Sequence, residues 1–174
     1  GLPQAISFAK LGLSGMARAG DWVEAWIDVR HRFDAGRERT LDWVAVAYAD
    51  WTDCGAPAPD EVIEMAIATG CRAVLIDTFD KRAATLVDLI DAKALAAIIA
   101  PARSAGLLVA LAGGLSRGRL PELAGVLADI IAIRGAACAG GGRTGRVEAA
   151  AVGRFHRAIA ATWAAEQVPG TAVG

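Results

Sequence analysis

Five short apolar runs recur along this chain about 31 residues apart on average. They begin near Ala5, Trp43, Arg72, Leu107 and Ala128, and each stops at a polar or glycine-bearing cluster. The endings are Ala9-Lys10-Leu11-Gly12, Tyr48-Ala49-Asp50, Ile76-Asp77-Thr78, Ala112-Gly113-Gly114 and Ile133-Arg134-Gly135. Runs such as Val44-Ala45-Val46-Ala47 and Ile130-Ile131-Ala132-Ile133 lack the alternation of an antiparallel strand with one wet face. They suit parallel strands covered on both sides. A repeat of about 31 residues is that of a (β/α)8 barrel, where about 250 residues divide among eight units. Barrel strands all point the same way, so the five endings converge on one rim and the chemistry is expected there.

Helical patterns fill the intervals. Asp21 to Phe33 carries Trp22, Ala25, Trp26 and Val29 at helical spacing, and Asp60 to Thr69 puts Val62, Ile63, Ala66 and Ile67 on one stripe before a capping Gly70. Thr85 to Ala105 predicts a third helical connection, with Pro101 late enough to kink or shorten it and Gly106 at its end. Leu120 to Leu127 predicts a short helix with Pro121 near its first turn. Glu148 to Glu166 predicts the last helix, presenting Val152, Phe155, Ile159 and Trp163. One domain over 1–167 and a frayed tail over 168–174 are expected. Five strands cannot close an eight-stranded barrel, and Gly1-Leu2-Pro3 leads into the first run with no helix or cap before it. The expectation is an α/β chain covering part of a longer barrel.

The 18 basic and 19 acidic residues nearly cancel, which leaves no broad field to hold nucleic acid or an anionic membrane surface. Any anion must be bound locally. Apolar stretches are interrupted well before the roughly 18 residues of a membrane span, and no charged start with an apolar core marks a signal peptide. A cytoplasmic protein is therefore expected. Cys54, Cys71 and Cys138 are odd in number and lack paired ligand spacing, so they read as reduced thiols, and two histidines leave little for a metal site. Cys138 has no visible base beside it and is expected in packing, as are Trp22, Trp26 and Trp43. His31 and His156 are expected on helix surfaces.

Lys10-Leu11-Gly12-Leu13, Tyr48-Ala49-Asp50, Asp77-Thr78 with Lys81, Ala110-Leu111-Ala112-Gly113-Gly114-Leu115, and Asp129-Ile130-Ile131-Ala132-Ile133-Arg134-Gly135-Ala136-Ala137-Cys138 with Arg143 follow in order along nearly the whole chain. Together they resemble the (5-formylfuran-3-yl)methyl phosphate synthase family and look like its last five strands. The family's first three strands, with their Asp-Val-Lys-Asn-Pro segment, have no counterpart here. The resemblance implies five C-terminal βα units of a TIM (β/α)8 barrel. It implies a lyase that makes the furan precursor of methanofuran, or of its relative in methylotrophic bacteria, from two molecules of glyceraldehyde 3-phosphate with loss of phosphate and water. It implies a small phosphorylated aldehyde as substrate and no metal or organic cofactor. As partners, further copies of the chain or a complementary N-terminal segment are expected. Two other readings stay open: an inactive fragment or partner subunit serving assembly, and a different phosphate-handling aldolase on the same scaffold.

Given such a substrate, Lys81 is the candidate imine-forming amine, with Asp77 four residues earlier to exchange protons with the intermediate or hold the amine. The alternative is a surface ion pair. Lys10, costly within the run Ile6 to Leu13 unless it faces a polar rim, is either a second cation there or a lysine snorkelling to solvent. Asp50 either shares acid–base duty or caps the loop Trp51 to Pro59. For the phosphate, the loops after the last two strands supply Gly113, Gly114, Gly135 and Ala136, with Arg134 expected to be buried and to demand an anion. Gly113-Gly114 is otherwise a tight turn. Gly140-Gly141-Gly142 is either a flexible loop or part of the same site with Arg143 as a lid residue. Where the family usually has Ala-Gly-Ser-Leu this chain has Gly114, so a hydroxyl contact is expected to be lost.

Overall fold

The computed structural model describes residues 3–164, so the expected tail at 168–174 and the helix end at Glu166 lie outside the described residues. Five parallel strands form one sheet in the order β1-β2-β3-β4-β5: β1 Phe8–Gly12, β2 Asp42–Tyr48, β3 Ala73–Asp77, β4 Leu108–Leu111 and β5 Ile130–Ile131. Between them lie α1 Trp22–Asp34, α2 Trp51–Cys54, α3 Pro59–Ala68, α4 Leu86–Leu89, α5 Ala92–Ser104 and a 3-10 helix at Arg117–Leu123, and α6 Ala149–Ala164 follows β5. Among the described residues no helix is long and apolar enough to cross a membrane.

The register sorts side chains onto two faces. Trp43, Ala45, Ala47, Val74, Ile76, Val109 and Leu111 face the helices and pack with Trp26, Val62, Ile63, Leu95, Ile99 and Phe155 into the main core. The opposite face carries Lys10, Val44, Val46, Tyr48, Leu75, Asp77, Ala110 and Ala112, of which Val46, Leu75, Ala110 and Ala112 form a small apolar cluster. Phe8 (53% exposed) and Ile130 (48%) belong to the two outer strands, each paired along one edge. The short β5 is pinned by Asp129, whose amide donates to the Val109 carbonyl (2.9 Å) and whose carboxylate accepts from the Val109 amide (2.8 Å).

Several local expectations need correction. β1 starts at Phe8, three residues after Ala5, because a turn closed by the Ile6 amide on the Pro3 carbonyl (3.1 Å) occupies the preceding residues. The connection from Thr85 is two helices: Ile90 is extended, and the Asp91 carboxylate takes the Ala94 amide (2.8 Å) to start α5 afresh. Pro101 is accommodated inside α5. The helix expected over Leu120 to Leu127 is the 3-10 turn at Arg117–Leu123 instead, and Gly125 at φ +82° turns the chain away. On α6, Phe155 is buried and the Trp163 indole donates to the Val126 carbonyl (3.0 Å), whereas Val152 is exposed. Trp26 and Trp43 meet edge to face at 5.9 Å, with the Arg30 guanidinium 4.8 Å above the Trp26 ring.

Candidate active site

All five endings lie at the same end of the sheet, because every strand runs parallel. A cleft of about 460 Å³ opens there. Its walls bring together Lys10 from β1, Asp77 from the last position of β3, Lys81 from the loop after it, Gly113, Gly114 and Ser116 after β4, and Arg134, Gly135, Ala136 and Arg143 after β5. Residues 133 positions apart thus share one space, and four of them are cationic against a single carboxylate, Asp77. A concave surface with that excess of positive charge is suited to an anion such as a phosphate monoester.

Lys81 and Asp77 form an ion pair in which Nζ also donates to the Thr78 carbonyl. Asp77 Oδ1 additionally accepts the Thr78 amide at 2.8 Å, while Oδ2 has no partner among the described residues. The amine is therefore held at the cleft wall beside a carboxylate with one free oxygen. Asp77 also stands in register with Tyr48, whose ring lies across Gly12 and packs edge to face on Phe79 at 5.5 Å. Burial, and then the charges of Asp77, Cys54 and Asp50, push the Tyr48 phenol above its ordinary value, so it stays protonated at neutral pH.

The glycines have separate reasons. Gly113 sits at φ +99° and Gly114 at φ +67°, a region that side chains rarely adopt, and a Cβ on Gly113 would lie 3.0 Å from Thr78 Cγ2. Gly135 has ordinary φ but allows a close approach, since a Cβ there would meet the Gly141 carbonyl at 3.0 Å. Residues 138–147 fold back through a bridge between Cys138 and Val147 and an Ala139 amide bond to Arg146 (2.9 Å), returning Gly141 and Arg143 to the cleft. Cys138 is buried and donates its thiol to the Arg134 carbonyl (3.1 Å). His31 and His156 are exposed, and no cluster of metal-ligating side chains occurs among the described residues.

Two expected residues sit differently. Arg134 lines the cleft but is exposed, because β5 is a two-residue outer strand with nothing paired beyond it. Asp50 is outside the cleft and buried: its two oxygens accept the amides of Phe79 (2.7 Å) and Asp80 (2.9 Å), and its side chain makes no capping bond to the loop from Trp51 to Pro59. It ties the end of β2 to the loop that bears Lys81. Replacing Asp50 by alanine is expected to cost about 1–3 kcal/mol by stranding those amides, read as a lower urea midpoint at unchanged slope. Ser116 was not foreseen. It lines the cleft two residues past Gly114, and only its nearness to the glycine turn marks it in the sequence.

The family model described as 4-HFC-P synthase matches residues 2–156. The (5-formylfuran-3-yl)methyl phosphate synthase of Methanothermobacter thermautotrophicus is 34% identical over 152 residues, which cover 87% of this chain and 64% of that protein. Its namesake in Methanocaldococcus jannaschii is 36% identical over 81% of this chain and 60% of its own length. A putative one from Kitasatospora aureofaciens is 32% identical over 86% and 60%. The chain thus spans a little under two thirds of the length of these curated relatives. Among solved structures, 3-hexulose-6-phosphate synthase overlaps 88% of this chain and 73% of its own at 20% identity and a TM-score of 0.37, too loose a likeness to carry weight.

Proposed function

Because the chain belongs to the (5-formylfuran-3-yl)methyl phosphate synthase family, we propose that its cleft joins two molecules of glyceraldehyde 3-phosphate into a furan aldehyde phosphate through an imine on Lys81. The observation that carries this reading is the meeting of a paired lysine, a carboxylate with one free oxygen, three further cations and two left-handed glycines in one cleft.

The chemistry follows from those groups. Lys81 Nζ adds to the aldehyde carbon of one triose phosphate and expels water, leaving an iminium that acidifies the proton on C2. Asp77 is placed to take that proton. The resulting enamine has its electron pair positioned either to attack a second aldehyde carbon or to expel the phosphate on C3. Hydrolysis of the imine returns the amine, and overall two trioses give one furan, one inorganic phosphate and two waters. Lys10, Arg134 and Arg143 balance phosphate charge, and Gly113, Gly114, Gly135 and Ala136 let the backbone approach it. Asp50 acts indirectly, by holding the Lys81 loop.

We further propose that the sheet is part of a (β/α)8 barrel. The 152 residues matched in the Methanothermobacter relative are 64% of it, so about 85 of its residues lie outside the match, enough for nearly three units of about 31. The outer edges of β1 and β5 are where such units would pair. Those same open edges favour a second reading, in which this chain works only within an assembly. Native sizing separates them: activity in a single longer polypeptide that runs as a monomer excludes the second, and activity found only when this chain is assembled with further chains excludes the first.

The test of the reaction is incubation with glyceraldehyde 3-phosphate while phosphate and a conjugated aldehyde are followed. The expected ratio is one phosphate per two trioses consumed. A six-carbon product retaining both phosphates would instead identify a plain aldolase.

A further inference from the structure

Arg119 lies outside the cleft, on the 3-10 helix after β4, yet it closes a network that reaches the glycine turn. Its Nε and Nη2 form a fork on Glu122 at 2.7 and 2.8 Å, and Nη1 donates to Thr85 Oγ1 at 3.0 Å and to Asp88. Asp88 in turn accepts the Thr85 hydroxyl (2.6 Å) and amide (2.8 Å). Thr85 is thereby fixed from two sides. It stands where a Cβ on Gly114 would lie 2.9 Å from its Cγ2, and the adjacent Leu86 amide donates to the Gly113 carbonyl at 2.8 Å. Neither Thr85 nor Leu86 lines the cleft; both support the turn that does.

We propose that Arg119 is a positioning residue: by clamping Thr85 and Asp88 to the loop after β4, it fixes the Gly113-Gly114 turn in the conformation that receives the substrate's phosphate. The proposal rests on reading this cleft as a phosphomonoester site. An isolated surface ion pair would do little, but here one guanidinium holds three side chains from two rim loops, a planar fork that only arginine presents. The Thr85 hydroxyl and amide, with Arg119, hold the Asp88 carboxyl at about 2 against an ordinary 3.8, so the clamp stays ionised further into acid than a free carboxylate would. The loop it anchors, 78–85, also carries Lys81, so the same clamp sets the distance between amine and phosphate cradle.

The test is calorimetric titration of the 174-residue chain with inorganic phosphate, with amide resonances of Gly113 and Gly114 followed alongside. Arg119→Met is expected to weaken phosphate binding roughly 10- to 100-fold and shift both glycine resonances. Thr85→Val, which keeps a methyl against Gly114 but loses the hydroxyl, is expected to weaken binding in the same direction and serves if the first variant does not fold. Ile99→Val, a core change on α5, lowers stability without touching the clamp and is expected to leave affinity unchanged. Arg119→Met and Thr85→Val both binding within about twofold of wild type, or Ile99→Val losing as much, overturns the proposal alone. Wild type failing to bind phosphate overturns the reading of the cleft, and the proposal with it.

Discussion

Lys81→Met is expected to lower turnover of glyceraldehyde 3-phosphate roughly a thousandfold or more while leaving the protein folded. The two halves of that expectation have different causes. Without Nζ no imine forms, and the C2 proton keeps the low acidity of an ordinary aldehyde, so Asp77 has nothing it can deprotonate at a useful rate. Some stability should be lost, because the pair is only 27% and 14% exposed and removal of the ammonium leaves the Asp77 carboxylate with the Thr78 amide as its remaining partner, but the apolar core is untouched and the fold should survive. Lys81→Arg should be equally inactive: the guanidinium keeps the charge and the contact to Asp77 but does not lose a proton to become a nucleophile. Steady-state rates together with thermal melts check both halves. An arginine variant with substantial turnover would mean that Lys81 acts only as a charge.

Gly113→Ala is expected to cost about 2–4 kcal/mol of stability and, in whatever fraction remains folded, to abolish phosphate binding. A methyl group at φ +99° is strained in itself. It would also lie 3.0 Å from Thr78 Cγ2, 3.1 Å from Leu86 Cβ and 3.2 Å from the Thr78 amide, and the last belongs to the backbone that presents Asp77 and Lys81. Relief therefore comes by moving the turn, the start of α4 or the loop that carries Lys81. Gly118→Ala is the natural control, since it meets nothing within 4 Å and φ there is not positive. Urea unfolding with phosphate titration reads the comparison.

What made the site legible was its place at strand ends. Parallel strands packed on both faces are written almost wholly in apolar residues, so Lys10, Asp77 and the Gly113-Gly114 pair stood out against them, and parallel topology alone brings such endings together. Periodicity placed α1 and α3 for a similar reason, since one face of each must be apolar. The same cue misled at Thr85 to Ala105. Apolar positions continue through Ile90, while the signal that splits the helix is a single capping carboxylate on Asp91. Asp50 was ambiguous because its partners are backbone amides 29 and 30 residues away, and any residue type offers a backbone amide. Arg134 was expected to be buried from its apolar neighbours; how many strands flank it is a tertiary fact that those neighbours do not encode. Of the Arg119 network only the fork on Glu122, three residues on, is local; Thr85 and Asp88 come from the connection after β3, more than thirty residues back.

A covalent bond between Lys81 and the triose is the step on which the proposed reaction depends. Borohydride reduction during turnover of glyceraldehyde 3-phosphate, followed by peptide mass mapping, is expected to leave a reduced adduct on Lys81. Continued turnover with no adduct, or with one carried by a different residue, contradicts it.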